Sequence, residues 1–463
     1  MCAEQITISP IDDSVYVKRD YADKATIDST LDRARAAQKQ WKRCPLVERK
    51  ALCSKAVDAF VAKKDEIAGE ITWQMGRPIR SAAGEVAGLE ERARTMIDLA
   101  DEGLATIKLP DKPGFERWIQ REPLGVVFVI APWNYPYLTA INAVMPAMLA
   151  GNSVILKHSA QTPLCAERFA EAFQAAGLPD GVFQYLHLTH EDTAAIIKEE
   201  RIDYVAFTGS VSGGSMVENA AAGRFIGVGL ELGGKDPAYI RADADIPHAV
   251  DVAMDGAFFN SGQSCCGIER IYVHDSVYDE YLQQAIAWVK NLKLGRSDEQ
   301  ETTLGPVVRA SAADFVRKQT QEAIDQGAIA HITTDAFPLD KPGTPYLAPQ
   351  LLSNVDHSMR LMSEESFGPV VGIQKVSSDE EAIALMNDSE YGLTAAIFTS
   401  DIDKGVQLGQ QLETGTFFVN RCDYLDPGLA WTGVKHSGRG CSLSVLGYEP
   451  LTRPKSFHIK TEL

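Results

Sequence analysis

The sequence has no excess of basic residues. Its 463 residues include 45 lysines and arginines against 63 aspartates and glutamates, and the formal net charge is −18. Binding to nucleic acid or to an anionic membrane requires a basic face, so we expect neither kind of partner. Hydrophobic residues make up 45% of the chain and charged residues 23%, which are the proportions of a globular protein rather than a disordered one. A chain of this length predicts about two to four domains.

A disulfide framework and a metal-binding motif are also missing. The eight cysteines are scattered without a regular spacing, a distribution typical of free thiols in a reducing compartment. The nine histidines occur singly, and neither an HExxH nor a CxxC motif is present, so we expect no metal site. The first residues lack the basic and apolar regions of a signal peptide, and we therefore expect a cytoplasmic protein.

Charge is missing from one long segment, residues 123–156. The segment is long enough to span a membrane, but Pro132, Pro136 and Pro146 interrupt it. A bilayer helix tolerates such interruptions poorly. The segment is therefore predicted to form a buried strand, a turn and a buried helix.

The distribution of apolar residues predicts strands alternating with helices after a helical N-terminal region. Apolar residues at three- and four-residue spacing predict helices over 25–41, 47–70 and 80–104. A second alternating series begins near Pro237, after a glycine pair that could act as a hinge. Continuous apolar strands with intervening amphipathic helices favour parallel sheets covered on both faces. The predicted strands of the first series are 125–130, 153–157, 182–188, 204–207 and 225–230.

Two segments carry the residues on which a chemical interpretation depends. Glu231 follows an apolar run and has glycines close on both sides, and Cys265 lies in a turn of small residues after a predicted helix over 246–259. A thiolate can attack a carbonyl carbon, and a nearby glutamate can deprotonate the thiol or a water molecule. The alternatives are that Cys265 is a small buried apolar residue, as most free cysteines are, and that Glu231 is a surface carboxylate.

Together with the motifs at Pro132–Pro136 (PWNYP) and Glu365–Pro369 (ESFGP), these segments resemble the aldehyde dehydrogenase superfamily. The resemblance extends from about Arg121 to Gly440. It implies an α/β fold with two doubly wound parallel-sheet domains and a small β oligomerisation arm. The implied units are an NAD(P)-binding domain (1–105 and 124–233), a catalytic domain (234–443) and the arm (106–123 and 444–463).

The resemblance also implies catalytic roles. Cys265, and not its neighbour Cys266, occupies the position of the family's nucleophile. Glu231 is the base that activates water, so the implied reaction is NAD(P)-dependent oxidation of an aldehyde to a carboxylic acid through a thioester. Asn134 and the backbone N–H of Cys265 would hold the oxyanion, although PWNYP is also a good turn. The alternatives for the whole chain are a coenzyme A-acylating dehydrogenase and a non-catalytic member of the superfamily.

Cofactor contacts follow from the resemblance in the same way. It implies that Ser210 contacts a phosphate, Lys157 the adenosine ribose and Glu365 the nicotinamide ribose. A solvated lysine at a strand end is the alternative for Lys157. Glycines after the strand at 204–207 would let a pyrophosphate approach a helix N-terminus. The remaining implied contacts are Trp133, Gly209, Gly214, Leu232 and Phe367.

Position 160 departs from the pattern of NAD-dependent relatives, which commonly carry a glutamate there. That glutamate binds the ribose hydroxyls of NAD and would repel the 2′-phosphate of NADP. This chain has Ala160. We therefore expect NADP to be usable, with NAD still accepted.

The substrate is predicted to be a small-molecule aldehyde. The resemblance implies a tunnel lined by Tyr135, Leu138, Thr139, Asn142 and Ser264, and by the loop at 421–431. Arg421 in this loop either meets a carboxylate at the far end of an ω-oxo acid or forms an ion pair with Asp423 or Asp426.

Two exposed alternating patterns, at 115–120 and 457–460, predict edge strands that require a partner. In the family, the segments that match 105–123 and 444–463 add strands across a subunit boundary. We expect a homodimer, with a homotetramer as the alternative.

Overall fold

The computed structural model describes residues 4–462. Its α-helices are α1 (Lys24–Trp41), α2 (Leu46–Val61), α3 (Lys64–Met75), α4 (Ile79–Gly103), α5 (Pro136–Leu149), α6 (Pro163–Ala175), α7 (His190–Ile197), α8 (Val211–Ala221), α9 (Ile246–Phe258), α10 (Tyr278–Lys290), α11 (Ala310–Asp325), α12 (Arg360–Ser363), α13 (Asp379–Asn387) and α14 (Ile402–Gly409).

Its strands are β1 (Glu4–Ile8), β2 (Val15–Asp20), β3 (Ile107–Lys108), β4 (Phe115–Pro123), β5 (Val126–Ala131), β6 (Ser153–His158), β7 (Phe183–Tyr185), β8 (Tyr204–Thr208), β9 (Gly227–Glu231), β10 (Asp236–Ile240), β11 (Ile268–His274), β12 (Ile329–Ala330), β13 (Gln350–Ser353), β14 (Val370–Val376), β15 (Tyr391–Gly392), β16 (Thr394–Phe398), β17 (Thr416–Val419), β18 (Val434–Lys435), β19 (Gly438–Arg439) and β20 (Thr452–Lys460).

The first large sheet has six strands in the order β19–β9–β8–β5–β6–β7. The strands from β9 to β7 run parallel, and only β19 joins antiparallel. Every residue of β5 and β6 is buried, as expected for central strands covered on both faces. One face packs against α2–α6 and the other against α1, α7 and α8.

The second large sheet has seven strands in the order β12–β13–β14–β11–β10–β16–β17. All neighbouring strands in it are parallel except β12 and β13. Helices α9 and α10 cover one face, and α11, α13 and α14 cover the other. The predicted fold class, with doubly wound parallel sheets, is confirmed.

The N-terminal region differs from the prediction at two places. The helix predicted over 47–70 is two helices, α2 and α3, which separate at Ala62–Lys63. The break lets Phe60 and Ile67, from different helices, both enter the core under the first sheet. The hairpin of β1 and β2 was not predicted, because its strands are short and half exposed.

A three-stranded antiparallel sheet in the order β20–β4–β3 contains both predicted edge strands. β20 pairs with β4 over its whole length, and Trp118 stacks on Phe457 with ring centroids 4.7 Å apart. The strand predicted near the C-terminus thus finds its partner far away in sequence. Most residues of β20 are exposed, and its other edge is unpaired within residues 4–462.

No helix within residues 4–462 combines the length and apolar content needed to cross a membrane. The segment at 123–156 forms β5, α5 and the start of β6, as predicted.

Candidate active site

The turn that carries Cys265 is built at the end of helix α9. Asp245 caps this helix by accepting a hydrogen bond from the backbone N–H of His248 (3.2 Å). Beyond the helix, Asn260, Ser261 and Gly262 all have left-handed backbone conformations, with φ between 53° and 71°. Such a run is costly for residues other than glycine and persists only where the surroundings fix it.

Hydrogen bonds to distant segments fix this turn. The Ser261 hydroxyl donates to the Gly305 carbonyl (2.8 Å), and the Gln263 side chain accepts from the backbone N–H of Val308 (2.7 Å). A Cβ at Gly262 would lie only 2.2 Å from the Gly368 carbonyl oxygen, so a side chain there is excluded. Contacts with distant segments therefore hold this turn rigidly, and Cys265 lies just after it in sequence.

The two adjacent cysteines have different surroundings. Cys265 is partly exposed to a cavity, whereas Cys266 is buried. The Cys266 thiol donates to a carboxylate oxygen of Asp423 (3.0 Å). A hydrogen bond with Cys265, burial and the charge of Asp423 together raise the pKa of Cys266 well above its usual range. Cys266 is therefore held as a neutral thiol, which is a poor nucleophile.

Asp423 contacts both neighbours of Cys265. The same oxygen that accepts from Cys266 also accepts from the Ser264 hydroxyl (3.0 Å). Burial raises the pKa of Asp423 to about 7, although both hydrogen bonds act in the opposite direction. Asp423 lies in a loop with φ of 47°, and neither its position nor its contacts could be recognised from sequence.

Glu231 ends strand β9, at the carboxyl edge of the first sheet, where α/β sheets place their ligands. Its carboxylate accepts hydrogen bonds from the Ser442 hydroxyl and from the Thr208 hydroxyl (3.3 Å). Burial raises the pKa of Glu231 above the usual glutamate value, against these two donors. Strand β19 fixes the position of the Glu231 backbone, because β19 pairs with β9 and places Gly438 opposite Glu231.

Asn134 is buried behind the nucleophile turn. Its side-chain amide donates to the Gln263 carbonyl (3.2 Å), and its own carbonyl accepts from Arg77 (2.6 Å) and from the Asn260 amide (3.1 Å). A side-chain amide nitrogen carries two hydrogens, and the second of Asn134 has no acceptor among the described residues. Asn134 thus joins PWNYP to the Cys265 turn.

A buried ion pair supports this junction. Arg77 donates to Glu85 and to the Asn260 side chain (3.1 Å), and its guanidinium lies over the Tyr135 ring at 4.6 Å. Glu85 also accepts from the backbone N–H groups of Tyr137 (2.9 Å) and Leu138 (3.0 Å) at the start of α5.

One cavity of about 440 Å³ connects Cys265 with Glu231. Five of the six predicted substrate contacts lie in its wall: Tyr135, Leu138, Thr139, Asn142 and Ser264. The sixth, Arg421, is exposed outside this wall and stacks on the Tyr424 ring at 3.7 Å. It forms no ion pair with Asp423 or Asp426 in the described part of the chain.

Arg92 also lines the cavity and was missed in the sequence. It lies on α4 and is 8% exposed. The sequence contained a signal for it, because Arg92 occupies the apolar stripe of an amphipathic helix between Leu89 and Met96. An arginine at a core position of a helix requires a partner or a function.

The predicted cofactor residues around Lys157 form a second region. Lys157 is the penultimate residue of strand β6, is 8% exposed, and has no ion pair among residues 4–462. Burial lowers its pKa to about 8. Nearby, the Ala160 side chain is exposed, while its carbonyl accepts from Thr7 of β1 (2.8 Å). The unpredicted hairpin therefore contacts the predicted ribose site.

Ser210 caps helix α8 by accepting from the backbone N–H of Gly213 (3.2 Å). The N-terminus of an eleven-residue helix is thus exposed beside Gly209, in a geometry that suits a phosphate. A Cβ at Gly214 would lie 2.8 Å from the Leu232 side chain, so the glycine lets this helix pack closely on the strand end.

Glu365 and Phe367 lie above Gly234. The Glu365 carboxylate accepts from the Gly234 backbone N–H (3.1 Å), and burial, with Glu269 nearby, raises its pKa to about 8. Phe367 meets Trp133 edge to face, with ring centroids 5.6 Å apart.

A buried hydrogen-bond network around Glu269 fixes the segment that carries Glu365 and Phe367. Glu269 accepts from Lys235 (2.6 Å) and from the backbone N–H groups of Ser366 and Phe367 (both 2.8 Å). The residues present, an unpaired cation, a helix N-terminus and an aromatic pair, fit a dinucleotide. The described residues contain no cluster of ligands for a metal ion.

The aldehyde dehydrogenase family model matches residues 3–457. The chain belongs to the aldehyde dehydrogenase family. A succinate-semialdehyde dehydrogenase [NADP(+)] of Deinococcus radiodurans is 32% identical over 449 residues, which cover 97% of this chain and 93% of that protein. A betaine aldehyde dehydrogenase of Bacillus subtilis is 32% identical over 91% of this chain and 87% of that protein.

Solved structures agree with the family assignment. The crystal structure of succinic semialdehyde dehydrogenase from Streptococcus pyogenes, in complex with NADP+, superposes with a TM-score of 0.93. It is 31% identical and covers 98% of this chain and 99% of its own. The protein therefore oxidises an aldehyde to a carboxylic acid through a cysteine thioester, with NAD or NADP as the cofactor, and water releases the acid.

Proposed function

We propose that Cys265, Glu231 and Asn134 carry out this oxidation. Two observations support this proposal. Cys265 and Glu231 line the same cavity. The Asn134 side chain donates a hydrogen bond to the Gln263 carbonyl, two residues before Cys265. The Cys265 thiolate adds to the aldehyde carbon, and the carbonyl oxygen becomes an oxyanion. The free N–H of Asn134 and the backbone N–H of Cys265 stabilise this oxyanion, at about 3 kcal/mol for each donor.

When bound, NAD or NADP would supply the hydride acceptor, and loss of hydride from the tetrahedral adduct would leave a thioester on Cys265. Glu231 then takes a proton from the water that attacks the thioester carbon. Burial raises the pKa of Glu231 against its two hydroxyl donors, the charge of Arg92 and the Asn142 amide. Glu231 is therefore a stronger base than an exposed glutamate. The carboxylic acid leaves and the Cys265 thiol is regenerated.

We propose that the cofactor lies along the carboxyl edge of the first sheet. Ser210 and Gly209 would hold its phosphates and Lys157 its adenosine ribose. The residues that would hold its nicotinamide half are Glu365, Leu232, Phe367 and Trp133. Ala160 leaves the ribose without an acidic partner, and the unpaired ammonium of Lys157 supports acceptance of a 2′-phosphate. In this assignment residues 1–105 and 124–233 form the cofactor domain, and 234–443 the catalytic domain.

We also propose that segments 106–123 and 444–463 mediate a homodimer, or else a homotetramer. The exposed outer edge of β20 supports this proposal, because an unpaired edge of nine residues is a template for another strand. Sedimentation at micromolar concentration tests it, and a mass near 50.5 kDa would show a monomer instead. The free thiols of the seven described cysteines support a reducing, cytoplasmic location.

Thiol labelling and cofactor reduction together test the catalytic assignment. The Cys265→Ala variant should form no thioester and no reduced cofactor, while it still binds NADP by fluorescence titration. Glu231→Gln should give one burst of reduced cofactor per subunit and then stall. A Cys265→Ala enzyme that still turns over would remove Cys265 from the mechanism.

A further inference from the structure

The two relatives are named for substrates of opposite charge, so they do not indicate which aldehyde fits this cavity. Succinate semialdehyde carries a carboxylate, whereas betaine aldehyde carries a quaternary ammonium group. The charged residues in the cavity wall are Glu91, Arg92, Glu231, Asp255 and Asp423. Four acids and one base would at first favour a cation.

The acids, however, are already stabilised. Glu91 is exposed to water, which screens its charge, and it accepts from the Tyr424 hydroxyl (2.8 Å). Asp255 also reaches water, and burial of part of its side chain raises its pKa, which works against its charged form. Glu231 accepts from two hydroxyl groups, and Asp423 accepts from Ser264 and Cys266. None of the four therefore requires a cation from the substrate.

Arg92 is in the opposite situation. Its Nη1 donates to the Leu138 carbonyl (2.9 Å) and to the Asn142 side-chain oxygen (3.2 Å). Its Nε and Nη2 form no hydrogen bond or ion pair with any residue in the described range 4–462. A guanidinium has five N–H donors and remains charged in proteins. Arg92 therefore presents unused donors to the cavity. Burial lowers its pKa, and the charges of Glu85 and Glu231 act in the opposite direction without forming an ion pair with it.

Asn142 adds a second unused donor beside it. Its side chain is 2% exposed and lines the same cavity. Its Nδ2 is buried without a hydrogen-bond partner, although the amide is close enough to Glu231 to act against the rise in that carboxyl's pKa. The hydrogen bond from Arg92 fixes which way the amide points, because its oxygen must face the guanidinium. A ligand group with two acceptor oxygens would satisfy both residues, and a planar carboxylate matches the guanidinium best.

We propose that Arg92, oriented by Asn142, binds the far carboxylate of a short ω-oxo acid while its aldehyde group lies at Cys265. This assignment rests on the proposed function and names its substrate class. The role that the sequence left open for Arg421, with a structural ion pair as the alternative, passes to a guanidinium that the structure places in the cavity wall.

The test compares substrates of equal chain length that differ in charge. The ratio of kcat/KM for 4-oxobutanoate to that for butanal is measured in the wild type, in Arg92→Met and in Arg92→Lys. A charge-assisted bidentate contact predicts that Arg92→Met lowers this ratio by about thirtyfold or more, mainly through KM. Arg92→Lys should recover part of the loss. Arg94→Met, two residues further along α4 and paired with Asp58 and Glu90 on the surface, is the matched control and should keep the wild-type ratio.

Other outcomes would overturn the proposal. A wild type that prefers 4-(trimethylammonio)butanal would show that the acids select a cation. An equal loss for 4-oxobutanoate and butanal in Arg92→Met, with a lowered melting temperature, would show a structural role only. Failure of the proposed function is distinguishable, because the wild type would then oxidise none of these aldehydes, or Cys265→Ala would remain active on butanal.

Discussion

Two buried arginines on neighbouring parts of the chain, Arg77 and Arg92, differ in how fully their donors are used. Arg77 is 2% exposed and donates to a carboxylate, a side-chain amide and a backbone carbonyl. Arg92 is 8% exposed, and only its Nη1 is engaged. Both lie beside PWNYP, yet one is enclosed by protein and the other faces a cavity.

The difference indicates that Arg77 supports the fold, whereas Arg92 is available to a ligand. Buried polar groups are normally satisfied by the protein, so those that are not satisfied in a cavity indicate where a ligand completes the structure. The same contrast holds for two glutamates, Glu85 and Glu231. Glu85 accepts from Arg77 and from two backbone N–H groups, whereas Glu231 accepts only from two hydroxyls.

The largest effect is expected at the pair of cysteines. Cys265 faces the cavity, and Cys266 is engaged with Asp423. Replacing Cys265 with Ala should lower kcat by roughly four orders of magnitude or more, whereas Cys266→Ala should keep more than about a tenth of the activity. Steady-state rates with one aldehyde check this. An inactive Cys266 variant beside an active Cys265 variant would reverse the assignment.

The second-largest effect on activity is expected at Glu231, whose carboxylate accepts hydrogen bonds from two hydroxyl groups and from no cation among the described residues. Loss of a general base costs about a hundred- to ten-thousandfold, so Glu231→Gln should slow thioester hydrolysis by that range. The base acts only when ionised, and burial raises its pKa. Turnover of the wild type should therefore fall as the pH falls through a midpoint above 4.5. A pH profile that Glu231→Gln leaves unchanged would exclude Glu231 as the base.

Replacing Glu85, whose carboxylate is fully paired, should affect the stability of the fold rather than catalysis. Removing one partner of a buried ion pair costs about 3 kcal/mol or more, because the other charge is left unpaired. Glu85→Ala should therefore lower the free energy of unfolding by at least that amount, as measured by denaturant titration. Replacing Arg77 and Glu85 together should cost less than the sum of the two single changes. Additive costs would show that the pair does not act as a unit.

The resemblance of two short motifs to those of the family was sufficient to select Cys265 and Glu231, and the structure places both in the wall of one cavity. The motifs were not sufficient for Asp423, which reaches Ser264 and Cys266 only through tertiary packing across the chain. The parallel sheets followed from continuous apolar strands, but the pairing of β20 with β4 did not, since strand pairing at long range leaves no local signal.

The smallest effect concerns the two buried lysines and the choice of cofactor. Lys235 is paired with Glu269 and supports the fold, whereas Lys157 is unpaired beside the exposed Ala160 side chain. We expect wild-type kcat/KM with NADP to lie within about a hundredfold of that with NAD, which is about 2.7 kcal/mol of discrimination. Ala160→Glu should then reduce use of NADP far more than use of NAD, because its carboxylate repels the 2′-phosphate and competes for Lys157.

Two controls sharpen this prediction. Lys157→Met should lower the NADP-to-NAD ratio without lowering stability, whereas Lys235→Met should lower stability, since it leaves Glu269 buried without its cation. The Lys157 pKa is lowered to about 8, so its charge is present below that pH and lost above it. The NADP-to-NAD ratio should therefore fall as the pH rises through about 8 in the wild type, but not in Lys157→Met. A ratio that is already below about one in a hundred and insensitive to pH and to Ala160→Glu would show that neither residue selects the cofactor.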